Sequence, residues 1–310
     1  MRVVSLSNSP LGEFLIWLKA ILKTNIIKIF CLLIIIMIKL NSNEVCAPSK
    51  SKEGDSCLTL ESLIKIAEAY NNDVAKKKGN PIPMIYEKKY LVTELYNRLK
   101  NVCKDQLCWI RQDFVRRLKD DDIEFNTFRP TGPCNSLKWL NTTDINKVIE
   151  QYYDLYHDFR FFGAIPIDFD DLPTMGIKNL DFEELYNNNI HRLGFVFNLD
   201  EHWKSGSHWV GMYANIKSHE IYFFDSYGIE PDERIEALMD RIAAYCKKKN
   251  GKKPIVKWNQ VRHQFKNTEC GVYSTNFILR LLKGETFENI TNNITNDDNM
   301  SKCRKVYFNS

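Results

Sequence analysis

The chain has 310 residues, and its 43 Lys and Arg against 39 Asp and Glu leave a formal charge of +4. With 44% hydrophobic, 12% aromatic and 26% charged residues, and only 13 Gly and 10 Pro, it falls outside the disordered, collagen-like and low-complexity classes, and its length suggests about two folded units. So small a charge excess gives no electrostatic case for nucleic acid as the main partner, and nine irregularly spaced Cys are too sparse for a disulfide-stapled scaffold, so mostly reduced thiols are expected.

Residues 1–40 are an apolar N-terminal segment whose uncharged core runs only from Ile29 to Ile38. A bilayer needs about 20 mostly apolar residues, so 15–40 make a membrane anchor only if Lys19, Lys23 and Lys28 snorkel toward the headgroups. A start at Met37 and a signal peptide cleaved near Ala47 are the competing readings. If the segment spans, its leading lysines keep its N-terminal side cytoplasmic. Residues 41–56 are polar and read as a linker.

Folding is expected from Cys57, with a helical accessory region over 57–130. Thr59 starts a helix that ends near Lys78, where Gly79, Pro81 and Pro83 stop it. Two more helices are expected at about 87–100 and 106–119. Cys103 and Cys108 have no second pair at zinc-finger spacing, so they read as buried thiols rather than metal ligands.

A second unit is expected over 131–284. Asn141 or Thr142 caps a helix in which Ile145, Val148, Ile149, Tyr152 and Tyr156 share one face. The period then changes: FRFFGAIPIDF, RLGFVFNL, HWVGMYANI, EIYFFDS and PIVKWNQV read as strands, with a helix over 231–248 between the last two. CGVYSTNFILRLLKG is an apolar helix closed by Gly284. The Asn-rich residues 285–310 read as a poorly ordered tail.

Cys270 opens that apolar helix, where the macrodipole and unpaired amides favour thiolate, and Gly271 would let a substrate carbonyl approach the backbone. His208 opens a strand and Asp225 ends the next. Arms of about nine and seven residues from the Lys217-Ser218 turn bring the two together, so the carboxylate can orient the imidazole. Gln264, six residues before Cys270, offers an amide donor that would complete an oxyanion hole with the Cys270 backbone N–H. Each residue alone has a bland reading: a buried Cys, a structural His, a turn Asp, a polar loop Gln. Only their combination points to acyl transfer.

The order His208-Trp209, Asp225-Ser226 seventeen residues later, Gln264 and Glu269-Cys270-Gly271-Val272-Tyr273 resembles the Ulp1/adenain-like cysteine proteases, which include ubiquitin-like-modifier proteases and viral maturation proteases. The resemblance covers about residues 133–284. WLNTTDINKVIEQYY and FFGAIPIDF look like the family's opening helix and first strand. It implies an α+β fold, a mixed sheet flanked by helices, with the 57–130 helical region as an addition. It implies a cysteine-type peptidase with His208 as base, Asp225 as orienter, Gln264 as oxyanion donor and Cys270 as nucleophile, needing no cofactor and no metal. It also implies that Trp139 and Trp209 sandwich a narrow glycine tail, so the expected substrates are proteins cleaved at Gly-containing sites, either ubiquitin-like modifier conjugates or virion precursors. A catalytically silent module that holds a ubiquitin-like tail is the alternative. Codon-biased Asn, Ile and Lys content and the extra N-terminal region lean toward a large DNA virus, in a virion or host membrane if the anchor is real and otherwise cytoplasmic. The basic run at 247–253 reads as a solvated turn, so nucleic acid is not expected as a partner.

Overall fold

The computed structural model describes residues 46–50 and 56–309. The apolar segment 1–40, on which the membrane-anchor, signal and Met37-start expectations fall, lies outside the described residues. Among the described residues, no helix is long and apolar enough to cross a membrane.

The helical region grows from capped helix starts. The Thr59 hydroxyl accepts the Ser62 amide at the head of α1 (Leu60–Tyr70), and Leu63, Ile66, Ala67 and Tyr70 recur along its buried face. The helix runs on through a π-helical stretch, Asn71–Ala75, and stops at Gly79, whose φ of 70° is left-handed. α2 (Lys88–Leu99) buries Leu91, Leu95 and Leu99. The single helix expected at 106–119 is broken into α3 (Gln106–Ile110) and α4 (Asp113–Arg116). Gln112 is extended between them, and its side-chain amide donates to the Cys108 carbonyl at 3.2 Å. With α5 (Asp121–Phe125) these helices enclose a core of their own, built around Leu58, Ile66, Leu95, Trp109 and Phe128.

Two features of this region correct the sequence reading. Cys103 and Cys108 are joined in a disulfide, as are Cys46 and Cys57, so the expectation of mostly reduced thiols fails for these four. The pairs' Cα atoms lie 5.4 and 5.3 Å apart, inside the distance a disulfide spans. Order also begins before Cys57: Cys46 bridges Phe128, and the Ala47 amide donates to the Thr127 carbonyl at 3.0 Å.

The rest of the chain is built on a five-stranded mixed sheet in the order β1 (Phe159–Pro166), β2 (Arg192–Asn198), β3 (Trp209–Asn215), β4 (Glu220–Phe224), β5 (Ile255–Trp258). β2, β3 and β4 are antiparallel neighbours, and β1 and β5 flank them in parallel. β3 lies in the middle and is buried on both faces, which is why its sequence, WVGMYAN, is apolar without alternation. One face is covered by a helix over Glu233–Asn250, which packs Ile235, Leu238 and Ile242 onto Phe195, Val210 and Ile221. That helix also explains the basic run: Lys247, Lys248 and Lys249 lie in its last turn, where positive charge suits the dipole, and Lys249 pairs with Glu183 at 2.5 Å.

The other face carries the apolar helix Cys270–Leu282 and the helix Thr142–Glu150, the latter begun by a capping box between Asn141 and Asp144. Helix Cys270–Leu282 sits directly on β3. A Cβ at Gly211 would come 3.3 Å from the Ser274 carbonyl oxygen, so the glycine permits the contact, and the Ser274 hydroxyl donates to the Trp209 carbonyl at 3.0 Å.

Residues 285–309 are not a loose tail. They form three short helices, Phe287–Asn292, Asp297–Lys302 and Arg304–Tyr307. Phe287, Ile290, Met300, Tyr307 and Phe308 enter the core beside helix Cys270–Leu282. The polar composition that suggested disorder supplies caps instead: Thr286 accepts the Asn289 amide and Asn296 the Asn299 amide.

Candidate active site

His208 immediately precedes β3 and Asp225 immediately follows β4. Because the register pairs Gly211 with Phe224, the strand ends bearing these two residues lie side by side. His208 Nε2 is 2.7 Å from Asp225 Oδ1, and both residues are shielded from water, at 8% and 2% exposure. Asp225 is itself fixed. Its amide donates to Asn259 Oδ1 at 2.9 Å, its carbonyl accepts Asn259 Nδ2 at 2.7 Å, and its Oδ1 also accepts the Tyr227 amide at 2.8 Å.

Cys270 is the first residue of its helix and is 2% exposed. Its side chain lies near enough to His208 to act on the imidazole's pKa. Burial alone would depress the His208 pKa, but the hydrogen bond to Asp225 and then the influence of the Cys270 thiol, with the charges of both, outweigh it and raise the value to about 9. The imidazole is thus bonded to the carboxylate and lies within electrostatic reach of the thiol. Tyr227 closes one side, its ring stacked on His208 at 4.5 Å. The Arg262 guanidinium lies 5.0 Å over the Tyr227 ring and 5.0 Å over Phe265. Burial, then the nearby Cys270 charge, pushes the Tyr227 hydroxyl pKa up.

Gln264 is fully buried on the loop leading into Cys270. Its Oε1 accepts the Ser226 hydroxyl at 2.6 Å, and the backbone amides of His263 and Gln264 donate to the Ser226 carbonyl at 2.8 and 2.9 Å. The Asp225-Ser226 pair thus has a division of labour: the first residue holds the imidazole and the second holds the glutamine. One Gln264 amide hydrogen goes to the Lys266 carbonyl at 2.6 Å, which leaves the second for another acceptor. Among the described residues Gln264 bonds Ser226 and Lys266, and not His208 or Cys270.

The two tryptophans differ. Trp209 is 6% exposed and its indole N–H donates to the Leu140 carbonyl at 2.9 Å, whereas Trp139, the residue before Leu140, is 47% exposed. Gly271 also has a packing role. A Cβ there would meet Leu140 Cβ at 3.1 Å and Trp209 Cδ1 at 3.3 Å, so the glycine makes room for these two side chains. Sequence reasoning missed Asn259, Tyr227, Glu269 and Arg304. Tyr227 and Glu269 had nearby signals, one standing two residues after Asp225 and the other directly before Cys270; Asn259 and Arg304 reach the site through tertiary contacts.

Residues 197–309 match the model of the Ulp1 protease family, C-terminal catalytic domain. A protein of Acanthamoeba polyphaga mimivirus named as a thiol protease is 36% identical over 280 residues, covering 85% of this chain and 93% of that protein. The cysteine protease of African swine fever virus, named in another isolate a SUMO-1 cysteine protease, is 24% identical over 198 residues, 58% of this chain and 71% of that protein. The crystal structure of the selenomethionine form of the African swine fever virus protease superposes with a TM-score of 0.62 at 21% identity, covering 88% of this chain and 98% of that one, so the two share a fold. The chain belongs to the Ulp1 family of cysteine proteases and is a large-DNA-virus member of it.

Proposed function

We propose that the protease works through Cys270 as nucleophile, His208 as acid and base, Asp225 as the group that orients the imidazole, and Gln264 with the Cys270 amide as the oxyanion site. The observation that carries this reading is the 2.7 Å bond between His208 Nε2 and Asp225 Oδ1. With Nε2 committed, Nδ1 is the nitrogen left for the thiol. The Cys270 sulfur attacks the scissile carbonyl carbon as its proton passes to His208, and the carbonyl π pair moves to oxygen. When the tetrahedral intermediate collapses, the C–N bond breaks and the imidazolium gives its proton to the leaving amine. Water, deprotonated by His208, then hydrolyses the thioester and releases the acid and the thiol.

The substrates are proteins cut at Gly-containing sites, either ubiquitin-like modifier conjugates or viral precursors. Two features support this: an exposed Trp139 and a buried Trp209 linked through Leu140, and the SUMO protease name of the swine fever relative. Residues 131–309 serve as the catalytic unit and 57–130 as an accessory one. Cys270→Ala should leave the fold intact and remove cleavage of a Gly-Gly-X peptide, and wild type should form a covalent adduct with a Gly-Gly vinyl sulfone. A variant that still cleaves at the wild-type rate defeats the assignment, and a wild type that binds the probe without bonding to it points to a binding module.

A further inference from the structure

The glutamate just before Cys270 is as buried as the thiol, and its charge is met from the end of the chain. Glu269 holds the N-cap position of helix Cys270–Leu282, where a carboxylate ordinarily accepts a first-turn amide, yet its side chain makes no capping bond. Its Oε2 instead accepts Arg304 Nε at 2.9 Å, its Oε1 accepts the Thr268 hydroxyl at 3.2 Å, and Arg304 Nη2 donates to the Thr268 carbonyl at 3.0 Å. Both side chains of the pair are 1% exposed, and Arg304 Nη1 is buried without a partner. Desolvation offsets most of the attraction in such a pair, and an unmatched donor adds to the cost, so stability alone is a poor account of it.

A second residue of the same C-terminal segment acts on the same loop. Asp297 Oδ2 accepts the backbone amides of Phe265 at 2.9 Å and Lys266 at 3.0 Å. The loop from Gln264 to Cys270 is therefore gripped at its start by Asp297 and at its end by Arg304.

We propose that Arg304 is a positioning residue for the Cys270 nucleophile: it draws the Glu269 carboxylate off the first turn of the helix and cancels its charge, leaving that turn's amides and the thiolate without a competing anion. The inference rests on Cys270 being the nucleophile. The charged and titratable groups around Cys270 are His208 before β3, Asp225 and Tyr227 after β4, and Glu269 beside it. Those that face Glu269 are Arg304, Lys266 and Tyr273. Only Arg304 forms an ion pair with it among the described residues.

The test uses the full chain, with iodoacetamide alkylation of Cys270 followed against pH by mass spectrometry, together with kcat, KM and Tm. Arg304→Met should move the alkylation profile to higher pH and lower kcat roughly 10- to 100-fold, with KM changed by less than about threefold. The double variant Arg304→Met/Glu269→Gln, which has no anion to cancel, should return the profile to the wild-type position. Arg304→Gln supplies the same comparison where Arg304→Met does not fold. A profile that stays at the wild-type pH in these variants, with kcat falling only with the folded fraction, overturns the proposal. A Cys270→Ala variant that still cleaves would sink the nucleophile assignment itself, whereas an unmoved profile beside an inactive Cys270→Ala sinks only the positioning role.

Discussion

The bond between His208 and Asp225 does two things at the scale of single residues. It occupies Nε2, which leaves Nδ1 for the proposed nucleophile, and it helps to stabilise the protonated ring, so the His208 pKa stands at about 9 against an ordinary 6.5. The sign of the pH effect follows. A folded-state pKa above the unfolded one gives stability that is fully present below 6.5 and is lost as pH rises through about 9. As the proposed acid, His208 must also be protonated when the amine leaves, so kcat/KM should fall along an alkaline limb near pH 9. Asp225→Asn should lower kcat by about 10²- to 10⁴-fold and move that limb to lower pH, which a pH–rate profile reads directly. A limb that stays in place would mean that another group sets it.

At the scale of elements, the site is made where strand ends meet a helix start, and the helix must come close to the sheet. Gly271 and Gly211 allow this, one beside Leu140 and Trp209, the other beneath Ser274. Gly271→Ala sets two effects against each other. Alanine in a helix gains about 1 kcal/mol over glycine, while forcing a methyl group into a filled space typically costs about 1–3 kcal/mol. Contacts of 3.1 and 3.3 Å to Leu140 and Trp209 put this position on the crowded side. The expected outcome is a net loss of about 1 kcal/mol by denaturant unfolding, with a higher KM, because the yielding atoms belong to the tryptophan proposed to line the substrate groove.

Among the described residues there are three apolar clusters: a helical one around Trp109 and one on each face of the sheet, of which the one beside helix Cys270–Leu282 is closed by the C-terminal helices. Deleting residues 285–310 would expose the surfaces that Phe287, Ile290, Met300, Tyr307 and Phe308 cover. At about 1.5–3 kcal/mol for each large side chain, the loss rivals the 5–15 kcal/mol that holds a typical domain together. The truncated chain should therefore lack a cooperative thermal transition by circular dichroism; one that melts like wild type would show that the segment is dispensable. Much of this architecture was legible in advance. The strands from Phe159 to Trp258 and the helix at Cys270 follow from local apolar period and turn residues, and the nearness of His208 to Asp225 follows from counting along one hairpin, because these are short-range consequences of backbone geometry. The disulfides, the ordered C-terminal segment, the Arg304 ion pair and the reason for Gly271 were not. Each joins residues through packing between elements, where partners such as Glu269 and Arg304 are 35 positions apart, and no local pattern encodes which distant surface a side chain will meet.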